Sequence, residues 1–418
     1  MTDDEYGVLL LRPLDVAPAG PPQIDVARAM REGRRMRRRR WAFGGGFLAA
    51  FTAALVTGSL LIAPATPRKP VLPPDPPLPK SCALAKLPTG KYSSVQMGGG
   101  DPTGRWLYGM TNPVVDTGPM RYLIWHDGVP VGDVAIPGEQ LDLRGINSSG
   151  VIVGQAQDNK KKIWPYAYRN GKFSRLKGGP GTAEGINDRG VIVGALGDLD
   201  KAVPVRWRSP DAEPERLPIP AGTHVVSTNL AVAPDGTIAG RVESPGHVRV
   251  LPSAPPYFEA SPAFLWLPDG GVRELHPPPP AEDPTTPVSP LLFRSGWLYA
   301  QQQIPVRSNG IIAIARTLLL RYDPVSGVWQ QLSDGKSRPA PQLPSSARSD
   351  FRFGSATPQI YVGPHALRLP LTQPIADPEV DYATVASVSD DVHTVTGDLV
   401  SGDNDPKQPF RPVSWHCE

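Results

Sequence analysis

Hydrophobic and polar positions change their period along the chain. Trp41 to Ala63 is a run of 23 residues without a charge. As a helix it would be ~34 Å long at 1.5 Å rise per residue, enough to cross a hydrocarbon core of about 30 Å. The Gly44-Gly45-Gly46 run inside it is tolerated in a membrane, where no water competes for the backbone. Beyond residue 93 the apolar runs are short, β-branched or aromatic, and separated by Gly, Asn, Asp and Pro. That is the pattern of many short strands joined by tight turns. Between the two regions, Pro64 to Pro79 holds eight prolines. It predicts an extended polyproline II stalk of about 3.1 Å per residue, roughly 50 Å in all.

The strand-rich region repeats itself. Gly145-Ile146-Asn147-Ser148-Ser149-Gly150-Val151-Ile152-Val153-Gly154 recurs forty residues later as Gly185-Ile186-Asn187-Asp188-Arg189-Gly190-Val191-Ile192-Val193-Gly194. A looser copy runs from Ala231 to Gly240, with Asp235-Gly236 at the turn, and a degenerate one follows from Ala386 to Gly397. Asn147 with Gly150, Asn187 with Gly190, and Asp235 with Gly236 are therefore expected to form tight turns with glycine at positive φ. The Val-Ile-Val stretch after each turn is a short buried strand, and its terminal glycine suits close backbone approach.

After each unit comes a strand ending in an aromatic, a glycine hairpin, and a strand ending in leucine. Examples are Tyr168 with Leu176, Trp207 with Leu217, and Trp266 with Leu275; fainter ones carry Trp125 and Tyr322, and Trp415 ends the last. Each repeat is thus about four strands. One such sheet cannot bury both faces, so neighbours must stack like the blades of a propeller. The fixed place of the aromatics assigns them to the layers between blades rather than to a sugar platform. The expectation is an all-β propeller of about seven four-stranded blades, six or eight being the alternatives, preceded by one transmembrane helix. The shorter segment from Phe351 to Leu371 supplies the seventh blade in that count.

These units resemble the bacterial extracellular β-repeat family named for its His-Ala-Phe motif (HAF-type). Its units read Gly-Ile-Asn-x-x-Gly-x-Val-Val-Gly followed by Ala-Phe-Leu-Trp. Ala263-Phe264-Leu265-Trp266 preserves the second part, with Pro262 in place of histidine. The resemblance implies a bacterial surface protein with a propeller-like domain, and it brings no catalytic residues.

The two cysteines, Cys82 and Cys417, lie at the two ends of the repeat region. The last repeat stops at its aromatic strand, and Cys82 to Pro88 resembles the missing outer strand, as in Pro214 to Pro218. First and last segments are therefore expected to share a blade, stapled by a Cys82–Cys417 disulfide in an oxidising compartment. Two unrelated thiols or a metal pair are the alternatives.

Charge sets the topology. The formal net charge is +3, yet seven arginines sit at Arg31, Arg34, Arg35, Arg37, Arg38, Arg39 and Arg40, and without them the chain is slightly acidic. The cluster just before the apolar run places the N-terminus in the cytoplasm by the positive-inside rule and suits anionic headgroups. No base-reading residues accompany it, so nucleic acid is not expected. A cleaved signal peptide at Ala63-Pro64-Ala65 competes with the uncleaved anchor, but the apolar run is too long and its leader too extended. The resulting organisation is a basic cytoplasmic tail (1–40), a transmembrane helix (41–63), a proline-rich stalk (64–80) and an extracytoplasmic propeller (81–418).

No catalytic signature is present: there is no His-Glu-x-x-His, Gly-x-Ser-x-Gly, phosphate loop or dinucleotide fingerprint. None of the seven histidines falls in metal-ligand spacing. Gly402-Asp403-Asn404-Asp405 lacks a full calcium loop and reads as a solvated turn, as does Asp390-Asp391. No cofactor is expected. The expected role is a binding or sensing module for an envelope protein or glycan, through irregular loops such as 241–262 and 277–290. Two other classes stand beside it. Basic single-pass proteins with short tails and outer propellers resemble bacterial anti-sigma partners, which implies a sigma factor on residues 1–40. A propeller hydrolase or lyase would assemble its site from distant loops.

Overall fold

The computed structural model describes residues 72–111, 119–135, 138, 140–198, 201–225, 230–243, 262–276, 288–308, 311–333, 358–371, 382–400 and 410–418. The expected transmembrane helix and its arginines lie outside these residues, as do Gly402 to Asp405. No helix among the described residues is long and apolar enough to cross a membrane.

The described residues are all-β, and their strand order is that of a propeller. The first strand, β1 (Cys82–Lys86), stands apart from its sequence neighbours. Blade 1 follows as β2 (Val95–Gly100), β3 (Trp106–Thr111), β4 (Arg121–His126) and β5 (Val129–Ala135). Blade 2 comprises β6 (Gln140–Ile146), β7 (Ile152–Gln157), β8 (Ile163–Arg169) and β9 (Lys172–Arg175). Blade 3 comprises β10 (Gly181–Ile186), β11 (Ile192–Leu196), β12 (Val203–Trp207) and β13 (Pro214–Arg216). In blade 4 the inner strand is split into β14 (His224–Val225) and β15 (Ala231–Val232), both paired with β16 (Ile238–Glu243). Its outer strands are β17 (Ala263–Trp266) and β18 (Val272–Leu275).

Blade 5 is the longest, with β19 (Val288–Arg294), β20 (Trp297–Ser308), β21 (Ile311–Tyr322) and β22 (Trp329–Ser333). A two-stranded hairpin, β23 (Gln359–Val362) with β24 (His365–Arg368), comes next. Blade 6 is β25 (Tyr382–Val388), β26 (Thr394–Val400) and β27 (Arg411–Cys417), and β1 completes it from outside. The first strand of the domain therefore closes the ring on the last. Cys82 faces Cys417 in the register, their Cα atoms are 4.0 Å apart, and a disulfide joins them.

The blade count is six, not seven. The segment expected to be a seventh blade supplies only the β23–β24 hairpin. At the ring's inner rim blades 5 and 6 meet directly, Ser295 Oγ donating to the Asp390 carbonyl at 3.0 Å. No inner strand of a further blade fits between them. The hairpin fills the wedge farther out, where Ile360, Val362 and Leu369 join the core of blade 6.

Each remaining layer between blades is one apolar cluster drawn from two neighbours. Val153, Ala167 and Leu176 of blade 2, for instance, pack on Ile192, Val205 and Trp207 of blade 3. The repeated tryptophan fixes the seam. Its indole N–H donates to the carbonyl just after the leucine that ends the previous outer strand. The pairs are Trp125 to Pro88 (2.8 Å), Trp207 to Lys177 (2.9 Å), Trp266 to Pro218 (2.7 Å) and Trp415 to Pro370 (2.8 Å). Burying the ring and satisfying its one donor together account for tryptophan at that place. The second glycine of each unit answers a different demand: a Cβ on Gly154, Gly194 or Gly397 would collide with a carbonyl of the inner strand.

The proline-rich segment, expected as an extended semi-rigid stalk over 64–80, lies against the ring over its described part. Leu72 packs on Leu292, Trp297 and Tyr299 of blade 5. Pro73 sits against Gly296, and the Asp75 carboxylate receives a bidentate bond from Arg321. Arg321 is buried, stacks 4.0 Å from the Trp297 ring centre and also donates to Gln330. The linker and the hairpin together close the gap between blades 5 and 6.

Candidate functional site: the central channel

The inner strands of all six blades line a central channel of about 110 Å³. Two features of the repeat decide what faces it. The first is a β-bulge. In five blades the first two strands slip by one residue, at Gly98, Arg144, Glu184, Leu291 and Ala386. A bulge re-aims the side chain of the extra residue. Blades 2 and 3 place Arg144 and Glu184 there, opposite charges at equivalent positions on adjacent blades. Both line the channel, at 5% and 2% exposure. Arg144 forms an ion pair with Asp142.

The second feature is the residue that opens the turn after each inner strand. Its N–H donates across the turn in Asp101, Asn147, Asn187, Ala233 and Ser389 alike, at 2.7 to 3.1 Å. Asn147 Oδ1 accepts from the N–H groups of Ser149 and Val151, while its Nδ2 donates to the Asn187 carbonyl of blade 3 at 3.1 Å. Asn187 repeats the arrangement and donates to Ala233 of blade 4 at 2.8 Å. The expected turns at Asn147, Asn187 and Asp235 are present, with φ of 75°, 79° and 97° at Gly150, Gly190 and Gly236. Asp235 Oδ1 accepts from Thr237 N–H at 2.8 Å. These asparagines are thus links from blade to blade at the channel rim.

In blade 5 the same position is Arg294, 4% exposed, before the tight Ser295-Gly296 turn. Its Nη2 donates to the Tyr361 carbonyl of the hairpin at 2.7 Å, and the guanidinium lies 5.0 Å from the Tyr299 ring centre. In blade 6 the residue after the turn opener is Asp390, half-buried at the same channel. Burial pushes its carboxyl up to about 6, with Asp188 and Asp391 adding to the rise; Arg294 and the Ser295 N–H oppose it. Arg144, Glu184, Arg294 and Asp390, with Asp101 and Asp188 beside them, therefore bring six ionisable groups from five blades to one small channel.

The sequence placed the turns but not this cluster. Arg144 and Glu184 immediately precede the repeated Gly-Ile-Asn, and a charge recurring there inside an apolar strand was the available signal. Arg294 carried none, because blade 5 lacks the motif. Asp390 reads as turn chemistry from sequence, yet it lines the channel. Of the loops expected to bind, 241–262 and 277–290, the stretches 244–261 and 277–287 lie outside the described residues.

No family model matches the chain, and no curated protein matches its sequence. The likeness to His-Ala-Phe repeats therefore rests on the quoted residues alone. Among solved structures the chain is similar to polysaccharide lyase Uly1, with TM-score 0.48 and 9% identity over 79% of this chain and 90% of that one. It is also similar to the β-propeller domain of the Trilobed protease from Pyrococcus furiosus, with TM-score 0.44 and 11% identity over 78% and 94%. TolB from Acinetobacter baumannii follows with TM-score 0.36 and 13% identity over 76% and 65%. The propeller fold stands on the strand order itself.

Proposed function

We propose that this chain is a membrane-anchored propeller outside the cytoplasm that binds a small charged ligand of the cell envelope in its central channel. The convergence of Arg144, Glu184, Arg294 and Asp390 carries the reading. Buried charges are expensive to hold and recur at sites that use them. The uncharged run 41–63 behind seven arginines supports the anchor, and the Cys82–Cys417 disulfide supports an oxidising compartment.

The test uses the full-length chain in detergent, screened by melting temperature against small charged metabolites, peptides and glycans. At least one compound is expected to raise the melting temperature saturably, and Arg144→Met to abolish the rise. A ligand that binds the Arg144→Met variant unchanged overturns the channel reading. A phosphatase reporter fused to the C-terminus checks the topology: it should be active only outside the cytoplasm. A hydrolase or lyase is a second reading, favoured by the raised Asp390 carboxyl, a suitable proton donor near neutral pH. Turnover of any screened glycan or peptide, lost in Asp390→Asn, would replace binding with catalysis.

A further inference from the structure

Arg294 sits on a face of blade 5 that carries two buried arginines. Leu292, Arg294, Trp297 and Tyr299 share that face through the β19–β20 register, and Arg321 joins it opposite Tyr299. Arg321, toward the outside, has its anion: the Asp75 carboxylate of the linker. Arg294, toward the channel, has no carboxylate in hydrogen-bond contact among the described residues; Asp390 acts on it only through space. Its Nη2 is used by the Tyr361 carbonyl, while among the described residues Nε and Nη1 have no acceptor, and neither does the indole N–H of Trp297. Of these two residues, only Arg294 lines the channel. A buried donor left unmatched costs about 1–3 kcal/mol, more when charged. Such groups are matched in native proteins unless a bound group completes them.

What completes the two open donors of a buried cation is an acceptor carrying negative charge. We infer that the channel holds a small oxyanion, a carboxylate or phosphate-type group, with Arg294 as its charged anchor. This deepens the channel reading and rests on it. The space fits such a group: about 110 Å³ compares with an engineered cavity of about 150 Å³ that admits benzene. Asp101, Glu184, Asp188 and Asp390 lie on other walls of the same channel, so the ligand's charge is confined to the blade 5 side. Asp390 also modulates the site. It faces Arg294 and the Ser295 N–H on blade 5, Asp188 on blade 3 and Asp391 on its own turn. Protonating it removes a competing negative charge that acts on Arg294.

The experiment is calorimetric titration of the full-length chain in detergent with sodium sulfate and, separately, sodium succinate, at constant ionic strength set by sodium chloride. Sulfate keeps its charge between pH 5 and pH 8. Saturable binding of either anion is expected; the tetrahedral probe answers for a phosphate-type ligand, succinate for a carboxylate. Arg294→Met should weaken binding at least tenfold and Arg294→Lys less. Sulfate should bind the native protein severalfold more tightly at pH 5 than at pH 8, and Asp390→Asn should bind equally at both. Should Arg294→Met fail to fold, that pair of pH titrations decides, and an unchanged affinity across pH in the native protein overturns the assignment. Absence of binding by both anions overturns it as well. Sulfate binding that Arg294→Met leaves intact also overturns it, and loss of that binding in Arg144→Met would leave the wider channel reading standing.

Discussion

At the scale of single residues, one position of the repeat does two kinds of work. Where it is asparagine, as in Asn147 and Asn187, the amide accepts from its own turn and donates to the next blade. Removing Asn187 loses bonds at a buried site, so Asn187→Ala should cost about 2–3 kcal/mol in urea unfolding. The turn function was legible, because Asn-x-x-Gly has known local chemistry. The blade-to-blade bond was not, since it depends on which carbonyl the next repeat presents. Asp390 makes a separate prediction. Its folded pKa, about 6, lies above the ordinary carboxylate value. Its contribution is therefore present at pH 4 and is lost as pH rises through 6, where a half-buried charge must form. Asp390→Asn should leave stability unchanged near pH 4 and raise it by about 1 kcal/mol at pH 8, discounted for partial exposure. Denaturant titrations at the two pH values check this.

Elements show where sequence patterns suffice and where they stop. The third strand of each blade carries an aromatic at or near its end, and in every blade but the first a leucine lies at or next to the end of the outer strand, as the repeats imply. The tryptophan bonds to Pro88, Lys177, Pro218 and Pro370 show why that spacing is kept. The hairpin β23–β24 obeys the same rule, since Leu369-Pro370 receives Trp415. That local correctness is why the segment reads as a blade. Only the ring's closure, with Ser295 against Asp390, shows that its inner half has no place. The linker carries a related lesson: proline composition predicts an extended chain but not what the chain lies on. Asp75→Ala would leave Arg321, 3% exposed, with Gln330 but no anion. The expected cost is about 1–2 kcal/mol, less than for a fully buried pair because the carboxylate is partly exposed. It should be accompanied by faster proteolysis within 64–80.

For the whole molecule, ring closure is the controlling event. Strand β1 pairs with β27 across nearly the entire chain, with Cys82 and Cys417 separated by 335 residues. Constraining so long a loop in the unfolded chain contributes up to about 6 kcal/mol in the chain-entropy model. Reduction, or Cys82→Ser, should lower the unfolding midpoint without changing the β-sheet circular dichroism of the folded state. Closure also gathers the inner strands around one channel, and the proposed site lies there rather than in the loops. The most direct test takes any compound that raises the melting temperature of the full-length chain and compares two variants, Glu184→Gln in the channel and a deletion within loop 244–261. Loss of the rise in Glu184→Gln and its retention in the loop deletion is the predicted result. Loss in the loop deletion with full retention in Glu184→Gln would contradict a ligand site in the channel.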